Sequence, residues 1–249
     1  VRLMPVEREQ WFLVLEQNVS ELCYSCAPLV ESPVHRHLEH GFARRLYMLQ
    51  ASRMHFENLF SENRSKPLEP HESTLAALHA NAFYVGIRGA LDNLAWAAQF
   101  QFSLFSGVTE GGKGRGKIDL FKDCFVEAVE ERFRVLGEKL RAKQEWSQDF
   151  KKFRDPAAHR IPIYVPPGVV RKQELEEYMD ELSRESMSAL GTSPQVNCDG
   201  VETLAHPVPV MILGGDSLSA YPLFYQIKKD YRRFLSISRS VICEIKSNC

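Results

Sequence analysis

The sequence is short of the features that mark several large protein classes. Its 249 residues hold only six cysteines, at positions 23, 26, 124, 198, 243 and 249, sparse and irregular in spacing. That excludes a disulfide scaffold and predicts reduced thiols in a cytoplasmic protein. No sign of charge dominates: 31 Lys+Arg stand against 32 Asp+Glu, a formal net charge of −1. A generally basic nucleic-acid-binding protein is excluded, although a local basic patch is not. No long run is free of polar groups. The most apolar stretch, Leu75 to Phe105, carries His79, Arg88, Asp92 and Asn93. Charges at that spacing are costly at bilayer depth, so a buried core helix is expected and no membrane association. Val-Arg-Leu-Met-Pro at the start has no cleavable apolar run, which gives no indication of secretion. No repeat of solenoid period, no G-x-S-x-G elbow and no dinucleotide fingerprint is present.

What is there is helical periodicity. Val6 to Val30 places Trp11, Leu15, Val19, Leu22 and Cys26 near a 3.6 repeat, and His35 to Phe60 does the same with Phe42, Leu46, Leu49, Phe56 and Leu59. After a break at Pro67 to Pro70, Ser73 is the expected N-cap of a long helix running to about Phe105, apolar on most sides and so buried on several faces. A glycine-rich basic loop, residues 106–117, reads as flexible. A fourth helix is expected from about Asp119 to Phe153, with an interruption near Gly137. Ile161 to Gly168 is extended, because each residue before a proline is pushed out of the α region. Arg171 to Leu190 reads as an acidic helix. Val201 to Leu213 is β-rich and is expected to pair with Ile163 to Val165. Leu218 to Ile245 closes the chain as a helix with Phe224, Ile227, Tyr231, Phe234, Ile237 and Val241 on one face. The expected fold is mostly α: one domain over residues 1–249, an up-and-down bundle of four to five long helices with a small α/β insertion at about 161–215.

Several motif-like stretches have bland readings. Gly111 to Lys117 reads G-x-x-x-x-G-K, but Ile118 stands where a P-loop needs Ser or Thr, and no strand precedes it. Cys23-x-x-Cys26 has no second pair and sits in a helical pattern, so core cysteines are expected rather than a zinc site. His35, His37 and His40 do not have metalloprotease spacing and read as a solvated helix end. No cofactor and no metal is expected.

Phe153-Arg154-Asp155-Pro156-Ala157-Ala158-His159-Arg160 carries the most chemistry. RNA brings its own nucleophile, the 2′-hydroxyl. A histidine titrating near neutrality can take that proton or give one to the leaving oxygen. A permanently charged, planar Arg stabilises the phosphorane, and Asp155 can orient either partner. On a straight helix, positions 154 and 159 differ by about 140°. Pro156, if it starts a new turn capped by Asp155, can bring both into one cleft. Asp-Pro is equally a plain helix-start signal, with Arg154 on the surface and His159 a buried hydrogen-bonding residue. Between Lys139 and Arg160 lie seven Lys/Arg and three Asp/Glu, and the closing helix adds Lys228, Lys229, Arg232 and Arg233. Such a surface suits a polyanion.

Arg154 to His159 resembles the R-x4-6-H signature of the HEPN superfamily, with the usual polar residue after the Arg. Tyr84 to Trp96 resembles the long helix that precedes the signature in bacterial members, and His159 to Pro167 is similar to their continuation. The resemblance covers about residues 74–167. It implies a helical bundle, commonly a homodimer, with the motif lining a cleft near the two-fold axis. It also implies metal-independent endoribonuclease activity of toxin–antitoxin or defence type, with RNA as substrate and an antitoxin or other protein as partner. Other members are non-catalytic and bind nucleotides or proteins, and a purely structural helical dimer is a third reading. By carry-over, Arg154 and His159 form the catalytic pair, supported by Asp155. Arg88, Asp92, Asn93 and Arg160 are the expected substrate-binding residues. The first three are polar groups on an apolar helix and need partners, which Arg88 and Asp92 can also supply to each other. The insertion is expected to cover the cleft, select substrate or form a dimer contact.

Overall fold

The computed structural model describes residues 5–25, 32–60, 64–159, 161–170, 172–177, 179–180, 206, 209–214 and 219–248, with the backbone alone at 5–13, 15 and 159. The architecture is mostly helical. In chain order it comprises α1 (Pro5–Ser25), α2 (Pro33–His35), a π-helical segment (Arg36–Ala43), α3 (Arg44–Leu59), α4 (Pro70–Phe102), α5 (Asp123–Glu130), α6 (Arg134–Arg141) and α7 (Gln144–His159). A hairpin of β1 (Val210–Leu213) and β2 (Ser219–Pro222) leads into α8 (Leu223–Ser247).

The 33-residue α4 is the axis of the bundle. The π segment and α3 pack on one side of it, α7 and α8 on others, while α1 lies on α8. Its buried residues, Ala76, Ala80, Phe83, Tyr84, Ile87, Ala90, Leu91, Leu94, Ala97, Ala98 and Phe102 among them, cover more than one face. That explains why its sequence lacks a clean apolar stripe. Tyr84 stacks on Phe153 of α7 at 5.0 Å, and Phe83 meets Tyr231 of α8 at 5.8 Å. On α8 the expected face is buried, with Ile227, Tyr231, Phe234, Ile237 and Val241 in the core. On α1, Val19 and Cys23 are buried, whereas the side chains of Trp11 and Leu15, and all of Cys26, lie outside the described residues.

Three readings of the helix boundaries differ from expectation. Glu69, not Ser73, caps α4, in a reciprocal capping box with Glu72. Arg64 grips Glu72 through two bonds of 3.1 and 2.5 Å and holds its carboxyl below the usual range. Ser73 is buried instead, its Oγ donating to Val165 O at 2.5 Å. The expected fourth helix is three helices, α5 to α7, broken by turns at 131–133 and 142–143 and not near Gly137, which lies within α6. Residues 219–222 form β2 rather than the first turn of the closing helix. The expected pairing of 163–165 with the β-rich segment is present as an antiparallel bridge between Tyr164 and Ile212, with Val169 and His206 forming a second. Asn81 of α4 ties this segment down: its Oδ1 accepts from Ile163 N and its Nδ2 donates to Ile163 O. Of the acidic helix, 172–177 and 179–180 are helical; the rest lies outside the described residues.

Asp230 locks α8 to α4 and α7. It is 1% exposed and accepts from Trp146 Nε1 (2.9 Å), Gln226 Nε2 (2.8 Å) and Tyr84 OH (3.3 Å). Burial raises its carboxyl above the usual range, and the three donors pull it back. Asp230→Ala strands those donors in the core. It should cost about 2–4 kcal/mol, read as a lower urea midpoint with an unchanged slope. An unchanged midpoint would remove Asp230 from this role.

Candidate functional site

One strip of α4 is left open by the helices around it. Leu75, Leu78, Ala82 and Val85 are exposed, and Gly89, Asp92 and Trp96 continue the line half-buried. The spacing alternates three and four residues, the period of one helix face. The strip is apolar at its first half and polar at its second.

Over the second half lies a groove of about 690 Å³, lined by His40, Arg44, Arg45 and Met48 from the neighbouring helical run, Val85, Arg88 and Asp92 from α4, and Arg154 and Ala158 from α7. Glycines make it possible. The missing Cβ of Gly89 leaves the space in which the Arg45 guanidinium lies, and Gly86 lets Leu49 approach α4. The same guanidinium is fixed by Nη1 donating to Gly41 O at 3.2 Å.

The charges in the groove are coupled. Arg88 Nη2 reaches Asp92 Oδ1 and Asp119 Oδ2, each at 2.9 Å. Asp119 is held further by Phe121 N at 3.1 Å. The two acids respond in opposite senses. Partial burial raises the Asp92 carboxyl above the usual range, against the pull of Arg88, Arg154 and Arg45. Burial is the largest influence at Asp119 and opposes ionisation, but the bond and charge of Arg88, the Phe121 N–H and the charge of Lys151 together outweigh it, and the carboxyl ends below the usual range. Arg154 Nε lies 3.0 Å from Asp155 Oδ1, an ion pair whose angles do not make a hydrogen bond. Beyond the Arg88–Asp92 pair a second hollow of about 340 Å³ is lined by Trp96, Glu110, Arg115 and Ile118.

The structure therefore brings three expected site residues, Arg88, Asp92 and Arg154, into one groove. Asn93 turns away: it donates to Gly89 O at 2.7 Å and its Oδ1 meets His37 Nδ1 at 3.1 Å. Asp155 is present as the partner of Arg154. The side chain of His159 and all of Arg160 lie outside the described residues. Pro156 does not start a new helix and Asp155 does not cap one. Helix α7 runs continuously from Gln144 to His159 with Pro156 inside it, so positions 154 and 159 are about 140° apart around one axis. Pro156 leaves the Lys152 carbonyl without its helical N–H partner and its ring crowds that carbonyl, a cost borne in a helix held to α4 through Phe150 and Phe153 on Tyr84.

The residues that sequence reasoning missed are His40, Arg44 and Arg45. Their signal was the pair Gly86 and Gly89 inside a helical pattern, which marks a close approach by a neighbour. Of the three histidines only His40 is exposed, so they are not all a solvated helix end. His37 is 9% exposed, stacks on Phe100 at 5.6 Å, and pairs through Nε2 with Glu110 at 2.8 Å. That pair ties the glycine-rich loop to the bundle. The loop follows α4 rather than a strand and ends in a 3-10 turn at Arg115–Lys117, so a P-loop context is absent. Basic residues of α7 and α8 act on one carboxylate: Lys152, then Lys229 and Arg233, favour ionised Asp149, which is held below the usual range.

No protein-family model, no curated protein and no solved structure matches this chain. Among the described residues no helix is long and apolar enough to cross a membrane.

The opposed carboxyls give a pH signature. A raised folded pKa means that the folded state keeps its proton longer, so Asp92 costs stability as pH rises through the carboxylate range. A lowered one means that Asp119 adds stability over the same rise, and that this is lost as pH falls. From about pH 3 to pH 7, Asp92→Asn should gain stability relative to wild type and Asp119→Asn should lose it, as read by urea melts. The same sign for both variants would contradict the assigned charge coupling.

Proposed function

We propose that this chain is a HEPN-like, metal-independent endoribonuclease acting on RNA through Arg154 and His159. The observation that supports this reading is the groove in which Arg154 lies beside Arg88, Arg45 and Arg44. Four guanidiniums along one cleft suit a phosphate backbone, and planar donors match phosphate oxygens in pairs. In the proposed step the RNA 2′-hydroxyl attacks its own phosphate. His159 moves the proton, Arg154 stabilises the phosphorane, and Asp155 positions Arg154. The products are a 2′,3′-cyclic phosphate and a free 5′-hydroxyl. The exposed apolar residues Leu75, Leu78, Val85 and Met48, next to the groove, support the homodimer this reading includes. A defence or toxin role in the cytoplasm, with an antitoxin as partner, follows from the resemblance alone.

A second reading is favoured by the continuity of α7. With positions 154 and 159 about 140° apart, one helix does not by itself aim both side chains at one phosphate. That suits a non-catalytic module that binds a nucleotide or a protein partner in the groove.

The deciding assay incubates varied RNAs with the protein in EDTA, wild type beside His159→Ala and Arg154→Ala. Cleavage by wild type that leaves a cyclic phosphate, and that falls at least about a hundredfold in each variant, is the expected result. Equal cleavage by His159→Ala would overturn the mechanism, and binding without turnover by all three would establish the second reading.

A further inference from the structure

A second cluster of chemistry-bearing side chains borders the groove without belonging to the Arg154 machinery. His35, Glu39 and His40 each offer a ligand atom, and these three atoms lie within 4.8 Å of one another. The backbone winding explains the grouping. In an α-helix, positions 35 and 40 would stand about 140° apart. Residues 36–43 are π-helical instead, and a helix bonded from i to i+5 brings the fifth residue back over the first. The rings of His35 and His40 accordingly meet edge to face at 5.6 Å. Glu39 pairs with His35 Nε2 on the same face. Such π-helical segments are rare and concentrate at functional sites.

The donor set is chemically specific. Two imidazoles and one carboxylate suit a borderline divalent transition ion rather than magnesium or calcium, which take oxygen ligands. Three protein ligands leave a tetrahedral ion one open position. Arg44 donates to His40 Nδ1 at 2.9 Å, so that nitrogen already presents the lone pair a metal needs. A metal that took that lone pair would displace the Arg44 guanidinium, and His40 and Arg44 both line the groove. His35 is largely buried, its side chain 17% exposed, whereas His40 is exposed, so the cluster is anchored at one end and reachable at the other.

We propose that His35, Glu39 and His40 form a Zn2+-class metal site at the rim of the groove, with its open position available to water or to an anion's oxygen. The proposal does not rest on RNA cleavage, and its test contains no RNA.

The untagged full chain is titrated with Zn2+ by calorimetry and with Co2+ by visible absorption. Glu39→Gln and His40→Asn are compared with wild type and with His71→Asn, an exposed histidine of α4 away from the cluster. Far-UV circular dichroism checks that each variant is folded. The expected result is one equivalent of Zn2+, and an intense Co2+ d–d band, for wild type and His71→Asn. Each cluster variant should lose at least about tenfold in affinity. The absence of one-equivalent binding by wild type, or a loss smaller than that in either cluster variant, overturns the site. His35→Ala is left out because its ring is buried and its loss can unfold the segment.

Discussion

The packing of α4 on several faces is the constraint from which the rest follows. A helix wrapped by α3, the π segment, α7 and α8 must be apolar nearly all round, and any polar residue on it needs a partner or an opening. Arg88 and Asp92 have both. They pair with each other and with Asp119, and they stand where the wrapping stops. Arg154 arrives because Phe150 and Phe153 of α7 dock on Tyr84, which fixes the register of α7 along α4. The groove is thus a by-product of core packing.

Its electrostatics are balanced rather than simply basic. Arg88 is shared by two carboxylates and Arg154 faces Asp155, so the fold carries acids that offset part of the positive charge. Under the proposed function, a phosphate entering the groove would compete with those acids. Asp92 is the member least favoured as an anion, since its carboxyl is pushed up while that of Asp119 is held down. The groove therefore yields most easily at Asp92, beside Arg154 and Arg45.

Much of this was legible in the sequence. The mostly helical class, the burial of α4 on several sides and the bridge from Tyr164 to Ile212 follow from period, from polar groups on an apolar helix, and from prolines that force extension. Arg88 and Asp92 stood out because charge inside an apolar run demands an explanation. Asn93 carried the same signal but satisfies it locally, by bonding Gly89 O and His37. Three features were hidden for physical reasons. Pro156 predicts a break, yet the tertiary contacts of Phe150 and Phe153 with Tyr84 carry α7 through it despite the lost bond. The π winding of 36–43 has no periodicity signature, so the grouping of His35, Glu39 and His40 could not be read from an α-helical wheel. Arg44 and Arg45 join the site only through the approach of α3 to α4, which is a long-range fact.

The proposed RNA cleavage requires these guanidiniums to form one phosphate-binding groove. The most direct measurement is the salt dependence of binding to a single-stranded RNA made uncleavable by 2′-O-methylation, followed by fluorescence anisotropy. Each phosphate contact removed from a single strand should lower the slope of log K against log salt by about 0.7. Arg154→Gln and Arg45→Gln should each lower it by about that amount, and the double variant by about twice as much. Unchanged slopes in both single variants would contradict the account.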